Sequence, residues 1–391
     1  MKARWRSGAL VGAFYLANLM QLAKAEEPLE IARQGAFFVG GAYRHTAAGT
    51  VMDGQMYVQF QIPRHKHHPY PIVMIHGQAQ GGVNFLSTPD GREGWADLFL
   101  RRGYAVYVVD QPLRGRSAYH ADLDGPLTPF SAEVVERAFT DPQAKPAWPQ
   151  ASRHDQWPGT GKPGDPAFDQ FYASELDSSL EDRRMDELNR DDDVALLERI
   201  GPAVVLTHSR SGPFGWLVAD ARPDLVKAVV AVEPWGPPFR DARPVPPALK
   251  RPWGLTVAPM TFDPPAADPA DLAAHEESEA QGPDKDKCWV MGAPRRTLPH
   301  LASTPILIVT GEASHHALYD HCTSQFLTAA GVTNDWMRLG DIGIHGNAHM
   351  MMLERNNAQI AAAIARWLGR VEAGGRRRPR WQATVGVALS D

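Results

Sequence analysis

Val204-Val205-Leu206-Thr207-His208-Ser209-Arg210-Ser211-Gly212 is an apolar run that stops on a hydroxyl held between small side chains. The run reads as a buried strand, and the segment from Phe214 to Ala221 reads as a helix. A small-x-Ser-x-small turn joining a strand to a helix is the setting of a nucleophile elbow, where bulky neighbours would clash. Thr207 and Ser211 stand where glycines are usual, so the strict motif is relaxed while its strand-turn-helix context is kept. Ser209 falls at the apex and is the candidate nucleophile. Ser211 falls at the start of the helix and is rejected on position. The plain alternative is a capping serine in an ordinary loop.

On either side of this turn, short β-rich runs alternate with helical patterns, as in a parallel sheet with crossover helices. Strands are expected at Tyr57 to Ile62, Ile72 to Ile75, Tyr104 to Val109, Ala203 to Thr207, Val226 to Val232, Ile306 to Thr310 and Trp336 to Leu339. Helices are expected at Trp95 to Arg102, Val194 to Ile200, Phe214 to Ala221, Leu318 to Ala330 and Met350 to Leu368. Asp191 to Asp193 would cap the second of these, where acids suit the helix dipole. The near-continuous Val, Ile and Leu content of the strands implies burial on both faces. Two segments break the rhythm. Residues 117–190 are rich in Pro, Asp and aromatics, with a helix expected between Phe168 and Leu188. Residues 236–300 are Pro-rich, including Pro237, Pro238, Pro244, Pro246 and Pro247. Long insertions are usually functional lids or surface elaboration, and both are read as caps over the site.

A serine hydroxyl needs a base, and the base an orienting acid. After the last strand, His345-Gly346-Asn347-Ala348-His349 offers two histidines, and pattern alone leaves both open as the base. The other would be a supporting histidine, as would His76. For the acid, Ser314 occupies the position after the penultimate strand where many such proteins carry Asp, and it cannot serve. Glu233, at the end of Ala231-Val232-Glu233, lies where active-site groups gather in open α/β sheets. It is the expected acid, with Glu312 as the fallback. An oxyanion hole needs backbone N–H donors. Arg210 follows the nucleophile, and Gln78 lies in the glycine-rich loop His76-Gly77-Gln78-Ala79-Gln80-Gly81-Gly82.

With these residues in place, the chain resembles bacterial and fungal α/β-hydrolase esterases of the Alcaligenes esterase type. The resemblance rests on Thr88-Pro89-Asp90-Gly91-Arg92 with Gly94-Trp95, Gly103-Tyr104 to Asp110-Gln111, and Gly115-Arg116-Ser117. It continues through the Ser209 elbow, Val232-Glu233-Pro234, and His345-Gly346-Asn347-Ala348-His349-Met350-Met351. It spans most of residues 70–370. It implies an α/β-hydrolase fold: a mostly parallel central sheet with helices on both faces and inserted cap or lid segments. It also implies Glu233 as acid, His349 as base and Gln78 as oxyanion donor. The implied reaction is ester hydrolysis through an acyl-enzyme, with no metal and no organic cofactor. Lactone, amide or carbon–carbon bond hydrolysis uses the same residues, and a non-catalytic binding protein on the same scaffold is a further alternative.

The chain has 391 residues and a net charge of −5, with no basic face of the kind that binds nucleic acid. Lys2, Arg4 and Arg6, an apolar run from Gly8 to Leu22, and Ala23-Lys24-Ala25 have the layout of a secretory signal peptide cleaved after Ala25. The hydrolase domain is then residues 26–372, followed by a flexible basic tail, residues 373–391, containing Arg376–Arg380. No later run is long and apolar enough to span a bilayer, so the expectation is a secreted or periplasmic protein without a stable membrane anchor. The expected partner is a small ester, hydrophobic or aromatic, given Trp148, Trp157, Phe168, Phe171, Tyr172, Trp235, Phe239 and Trp253 in the insertions. Those rings equally suit packing of the caps. A Cys288–Cys322 bond and the oligomeric state, a homodimer included, are left open. His65, Lys66, His67 and His68 read as a solvated loop rather than a metal site.

Overall fold

The computed structural model describes residues 27–241 and 249–374. The expected leader, Arg376–Arg380 with nearly all of the tail, and Pro244, Pro246 and Pro247 lie outside the described residues.

Eight strands form the central sheet: β1 (Ile31–Thr46), β2 (Gly49–Pro63), β3 (Ile72–Ile75), β4 (Val106–Asp110), β5 (Ala203–His208), β6 (Val226–Val232), β7 (Ile306–Thr310) and β8 (Asn334–Arg338). Their order is β1-β2-β4-β3-β5-β6-β7-β8. β2 runs antiparallel to β1 and β4, and every other pair is parallel. Side chains alternate across each strand, so the apolar runs feed two cores. Val73, Ile75 and Val205 pack on one face, and Ile72, Met74, Val204 and Leu206 on the other. The second face is covered by α1 (Trp95–Leu100) and α6 (Asn357–Glu372), through Trp95, Phe99, Ile360, Ile364 and Trp367. The first is covered by α3 (Asp182–Ile200), α4 (Gly212–Ala221) and α5 (Asp320–Ala329), through Leu196, Leu197, Phe214, Trp216 and Phe326. Each fully buried aliphatic side chain of this kind contributes roughly 1.5–3 kcal/mol. This is the α/β-hydrolase arrangement, with helices on both faces of a mostly parallel sheet.

Four details differ from the sequence reading. β1 was not anticipated; Val39 is its one buried residue, so it shows no pattern of burial to read. The helix expected between Phe168 and Leu188 is split into α2 (Pro166–Tyr172) and the start of α3. Asp191–Asp193 therefore lie inside α3, not at its N-terminus, and Asp192 and Asp193 are buried. α6 begins at Asn357; residues 350–356 form turns that carry the buried Met350, Met351 and Met352.

The insertions are tied to the body. Leu176 N–H donates to Ala79 C=O (2.7 Å), and Trp148 Nε1–H to Ala313 C=O (2.8 Å). Trp157, Phe168 and Phe171 belong to one core and Phe239 and Trp253 to the other, so these five rings pack the insertions down. Cys288, in the second insertion, is disulfide-bonded to Cys322 on α5, with Cα atoms 5.2 Å apart. Closing a loop across 34 positions removes about 3–4 kcal/mol of unfolded-chain entropy.

Strand order reverses at β3, which connects onward to β4 on one side while β5 lies on the other. The crevice beyond the carboxyl ends of β3 and β5 is the topological switch point, where open α/β sheets bind ligands. His76-Gly77-Gln78 leaves one of those ends and Ser209 the other.

Candidate active site

Ser209 follows β5 directly and has φ of +55°. A non-glycine residue held there stores about 1–3 kcal/mol of strain, which its surroundings must hold in place. Trp235 N–H donates to Ser209 C=O at 2.8 Å. Ser211 Oγ accepts His208 N–H and lies within donating distance of Ile75 C=O, both at 2.8 Å. The Ser211 hydroxyl is thus consumed in pinning the turn to β3. Gly77 permits the close approach, since a Cβ there would sit 3.1 Å from Ser209 Cβ and 3.0 Å from His208 Nδ1. Ser209 is partly exposed, and its hydroxyl makes no hydrogen bond among the described residues.

Glu233 directly follows β6, is fully buried, and has φ of +45°. Its Oε2 accepts from His349 Nδ1 (2.6 Å) and the Ser314 hydroxyl (2.7 Å), and its Oε1 from Gly311 N–H (2.7 Å). Burial, with the nearby Asp320 carboxyl, pushes Glu233 well up, while the Ser314 and Gly311 donors act the other way. Burial likewise holds His349 well below the ordinary histidine range, helped by His208, His315 and His316. A neutral ring whose Nδ1–H faces a carboxylate keeps a lone pair on Nε2, as a general base requires. His208 Nε2–H donates to His349 C=O at 3.0 Å, and the two rings lie 4.6 Å apart. The residue before Ser209 is therefore bonded to the backbone of His349.

The loop bearing His349 is itself fixed. Buried Glu354 accepts Ala348 N–H (3.0 Å), Asn347 Nδ2 (2.6 Å) and His154 Nε2 (2.9 Å). His345 is elsewhere: it is exposed and bonds through Nδ1 to Glu312 Oε2 at 3.1 Å. His345 and the fallback carboxylate Glu312 thus pair with each other at the surface, while His349 pairs with Glu233.

On the opposite wall, Gln78 N–H has no hydrogen-bond acceptor among the described residues. The carbonyl of the same peptide unit, Gly77 C=O, accepts from His76 Nδ1 (2.9 Å) and buried Arg114 Nη1 (3.0 Å). His76 accepts Gln111 N–H on Nε2 (3.1 Å), and burial, then Arg114, lowers its pKa to about 3. Its tautomer is thereby set. A cation on the carbonyl polarises the peptide and strengthens the opposing N–H as a donor. The Arg210 side chain turns away, to Asp186 Oδ1 (3.0 Å), Asp182 C=O (3.0 Å) and the face of Trp235, leaving its backbone at the elbow. Phe139 stacks on His349 (centroids 5.4 Å), and Trp148 meets His315 edge-on (5.5 Å).

Sequence reasoning missed His208, Ser314, Glu354 and Arg114. Ser314 had a signal, since it fell where an acid was sought. The other three act through backbone carbonyls or amides and leave no motif.

No family model matches the chain. It is 42% identical over 332 residues to the probable secreted lipase phiG of Fungal sp. (strain ATCC 74256), covering 85% of this chain and 88% of the relative. Among solved structures it is similar to a novel bacterial esterase determined at atomic resolution. The TM-score is 0.63 and the identity 27%, over 88% of this chain and 98% of that one.

Proposed function

The chain belongs to the esterase and lipase family of the α/β-hydrolase fold, and on that premise we propose that it is a serine carboxylic-ester hydrolase of the Alcaligenes esterase type, with a Ser209-His349-Glu233 triad. The observation that carries this reading is the 2.6 Å bond between His349 Nδ1 and Glu233, on a residue whose backbone carbonyl accepts from His208, the residue preceding Ser209.

His349 Nε2 takes the Ser209 proton as Oγ attacks the ester carbonyl carbon. The charge on the carbonyl oxygen meets the N–H groups of Gln78 and Arg210, the former backed by Arg114 and His76. Glu233 steadies the imidazolium. His349 then protonates the departing alkoxide, which leaves as an alcohol. Water repeats the sequence on the acyl-enzyme: His349 takes its proton, the acid departs, and Ser209 is restored. Phe139 and Trp148 give the site an apolar margin suited to hydrophobic or aryl esters, under a cap drawn from residues 117–190.

Exchange of each loop histidine tests the base. His349→Ala should cost roughly 10⁴- to 10⁶-fold in kcat, as loss of a triad member does. His345→Ala should leave hydrolysis of p-nitrophenyl esters near the wild-type rate. A large loss in His345→Ala alone would move the base to that residue. A panel of esters varied in chain length and aryl group reads the substrate class.

Residues 1–25 serve as a secretory leader in this proposal. Support comes from their sequence layout, the secreted relative and a disulfide that suits an oxidising compartment. Mass spectrometry of exported protein should give Glu26 as the first residue; a retained leader would refute it. Among the described residues no helix is long and apolar enough to cross a membrane.

A further inference from the structure

Three histidines meet at the candidate base. His315, His316 and His349 each present one ring nitrogen within 4.8 Å of the other two. His315 and His316 are neighbours on the turn after β7, and His349 comes from the loop after β8. The His316 and His349 rings lie 4.9 Å apart and nearly parallel, and His315 lies 4.6 and 4.9 Å from them. The catalytic reading uses one of the three.

The hydrogen bonds behind the rings say what the other two suit. His316 Nδ1 is bonded to Asp320 Oδ1 (2.9 Å), as His349 Nδ1 is to Glu233 Oε2 (2.6 Å). Asp320 is fully buried and its other oxygen accepts the Thr310 hydroxyl (2.6 Å). A carboxylate on one nitrogen, fixing the tautomer and raising the basicity of the other, is the support that metal-bound histidines ordinarily have. Two of the three rings here have it, and both keep a lone pair on Nε2. The His315 ring makes no hydrogen bond among the described residues, so both of its nitrogens are uncommitted. Glu233 and Asp320 stand behind the His349 and His316 rings as hydrogen-bond acceptors on Nδ1.

We propose that His315, His316 and His349 form a binding site for a divalent ion of the zinc type, and that its occupation inhibits the enzyme. Imidazole nitrogen suits such ions. Three neutral nitrogens would each donate a lone pair, with a water completing four-coordination, and no proton need leave. Zinc–nitrogen bonds of about 2.0–2.1 Å put tetrahedral ligand nitrogens roughly 3.3 Å apart, so the rings must close by up to about 1.5 Å. The ion takes the His349 Nε2 lone pair that would accept the Ser209 proton. The inhibitory part rests on the proposed triad; the binding part does not.

The probe is zinc chloride, added to chelator-treated protein. Titration calorimetry should find one tight site per chain, and hydrolysis of p-nitrophenyl acetate should fall at least tenfold in step with occupancy, recovering with EDTA. His315→Ala should weaken binding at least tenfold and shift the inhibition midpoint equally, taking rates with and without zinc within the same variant. Asp320→Asn, which keeps all three ligands but loses the carboxylate behind one, should weaken binding by roughly 10- to 100-fold. Cobalt absorption of the wild-type protein, in the visible range of a four-coordinate site, decides the case should a variant misfold. No tight zinc site, no such cobalt bands, or an inhibition midpoint unmoved in folded His315→Ala overturns the proposal. Protein that binds zinc at these residues yet hydrolyses no ester sinks the triad and leaves the metal site standing. Protein that hydrolyses esters and ignores zinc does the reverse.

Discussion

Ser209→Ala should lower kcat for short p-nitrophenyl esters by roughly 10⁴- to 10⁶-fold and abolish labelling by a fluorophosphonate probe. The residual rate would come from the oxyanion donors and substrate binding, which the substitution leaves in place. The fold should not suffer. Ser209 is partly exposed and its hydroxyl bonds to nothing in the described structure, so stability should stay within roughly 0.5 kcal/mol of wild type. Calorimetric melting read beside the kinetics separates loss of chemistry from loss of fold. Retained labelling would remove Ser209 from the mechanism. Ser211→Ala is the contrasting case: its hydroxyl holds the turn to β3, so its effect should appear in melting temperature before chemistry.

Glu233→Gln should cost about 10⁴-fold in kcat while preserving side-chain volume. The reason is a count of donors. His349 Nδ1, the Ser314 hydroxyl and Gly311 N–H all point at the carboxylate, and an amide offers a single acceptor oxygen. If the oxygen faces Gly311, the amide NH₂ faces His349. The imidazole must then accept on Nδ1 and carry its proton on Nε2. That is the wrong tautomer to receive the Ser209 proton, the failure known to cost about this much when a triad acid becomes an amide. If the oxygen faces His349, Gly311 N–H is buried against a donor, at about 1–3 kcal/mol of stability. Nitrogen NMR of the imidazole distinguishes the two. Activity within tenfold of wild type, or a comparable loss in Glu312→Gln instead, would move the acid to Glu312.

How far the sequence reached depended on which faces are apolar. β3, β5, β6 and β7 lie within one residue of their expected bounds because both faces of each are buried in hydrocarbon. α3 was read only in pieces, as Val194 to Ile200 and as part of a helix between Phe168 and Leu188, where the structure has one helix over Asp182–Ile200. Its buried stripe is Met185, Asp186, Asn189, Asp192, Asp193, Leu196 and Leu197, a regular helical spacing in which four positions are polar. Asp186 is occupied by Arg210 and the Val257 and Ala258 N–H groups. Burial, then Asp193, raises the pKa of Asp192 to about 9. A hydropathy pattern cannot register such a face. At the site, the strand-turn-helix around Ser209 was legible because it is local. The choice between His345 and His349 was not. Both follow the last strand, four positions apart, and only the fold brings one to Glu233 and the other to Glu312.

The order in which the chain is made bears on when it becomes competent. The proposed nucleophile and acid sit 24 positions apart, just past the ends of neighbouring strands, and can settle together early. The proposed base arrives 116 positions after the acid, in the last tenth or so of the molecule that is described. A nascent or truncated chain ending before residue 343 would carry the Ser209 turn and the Glu233 carboxylate without the imidazole of His349. With the proposed triad, hydrolytic power would therefore switch on only as the final loop and helix dock.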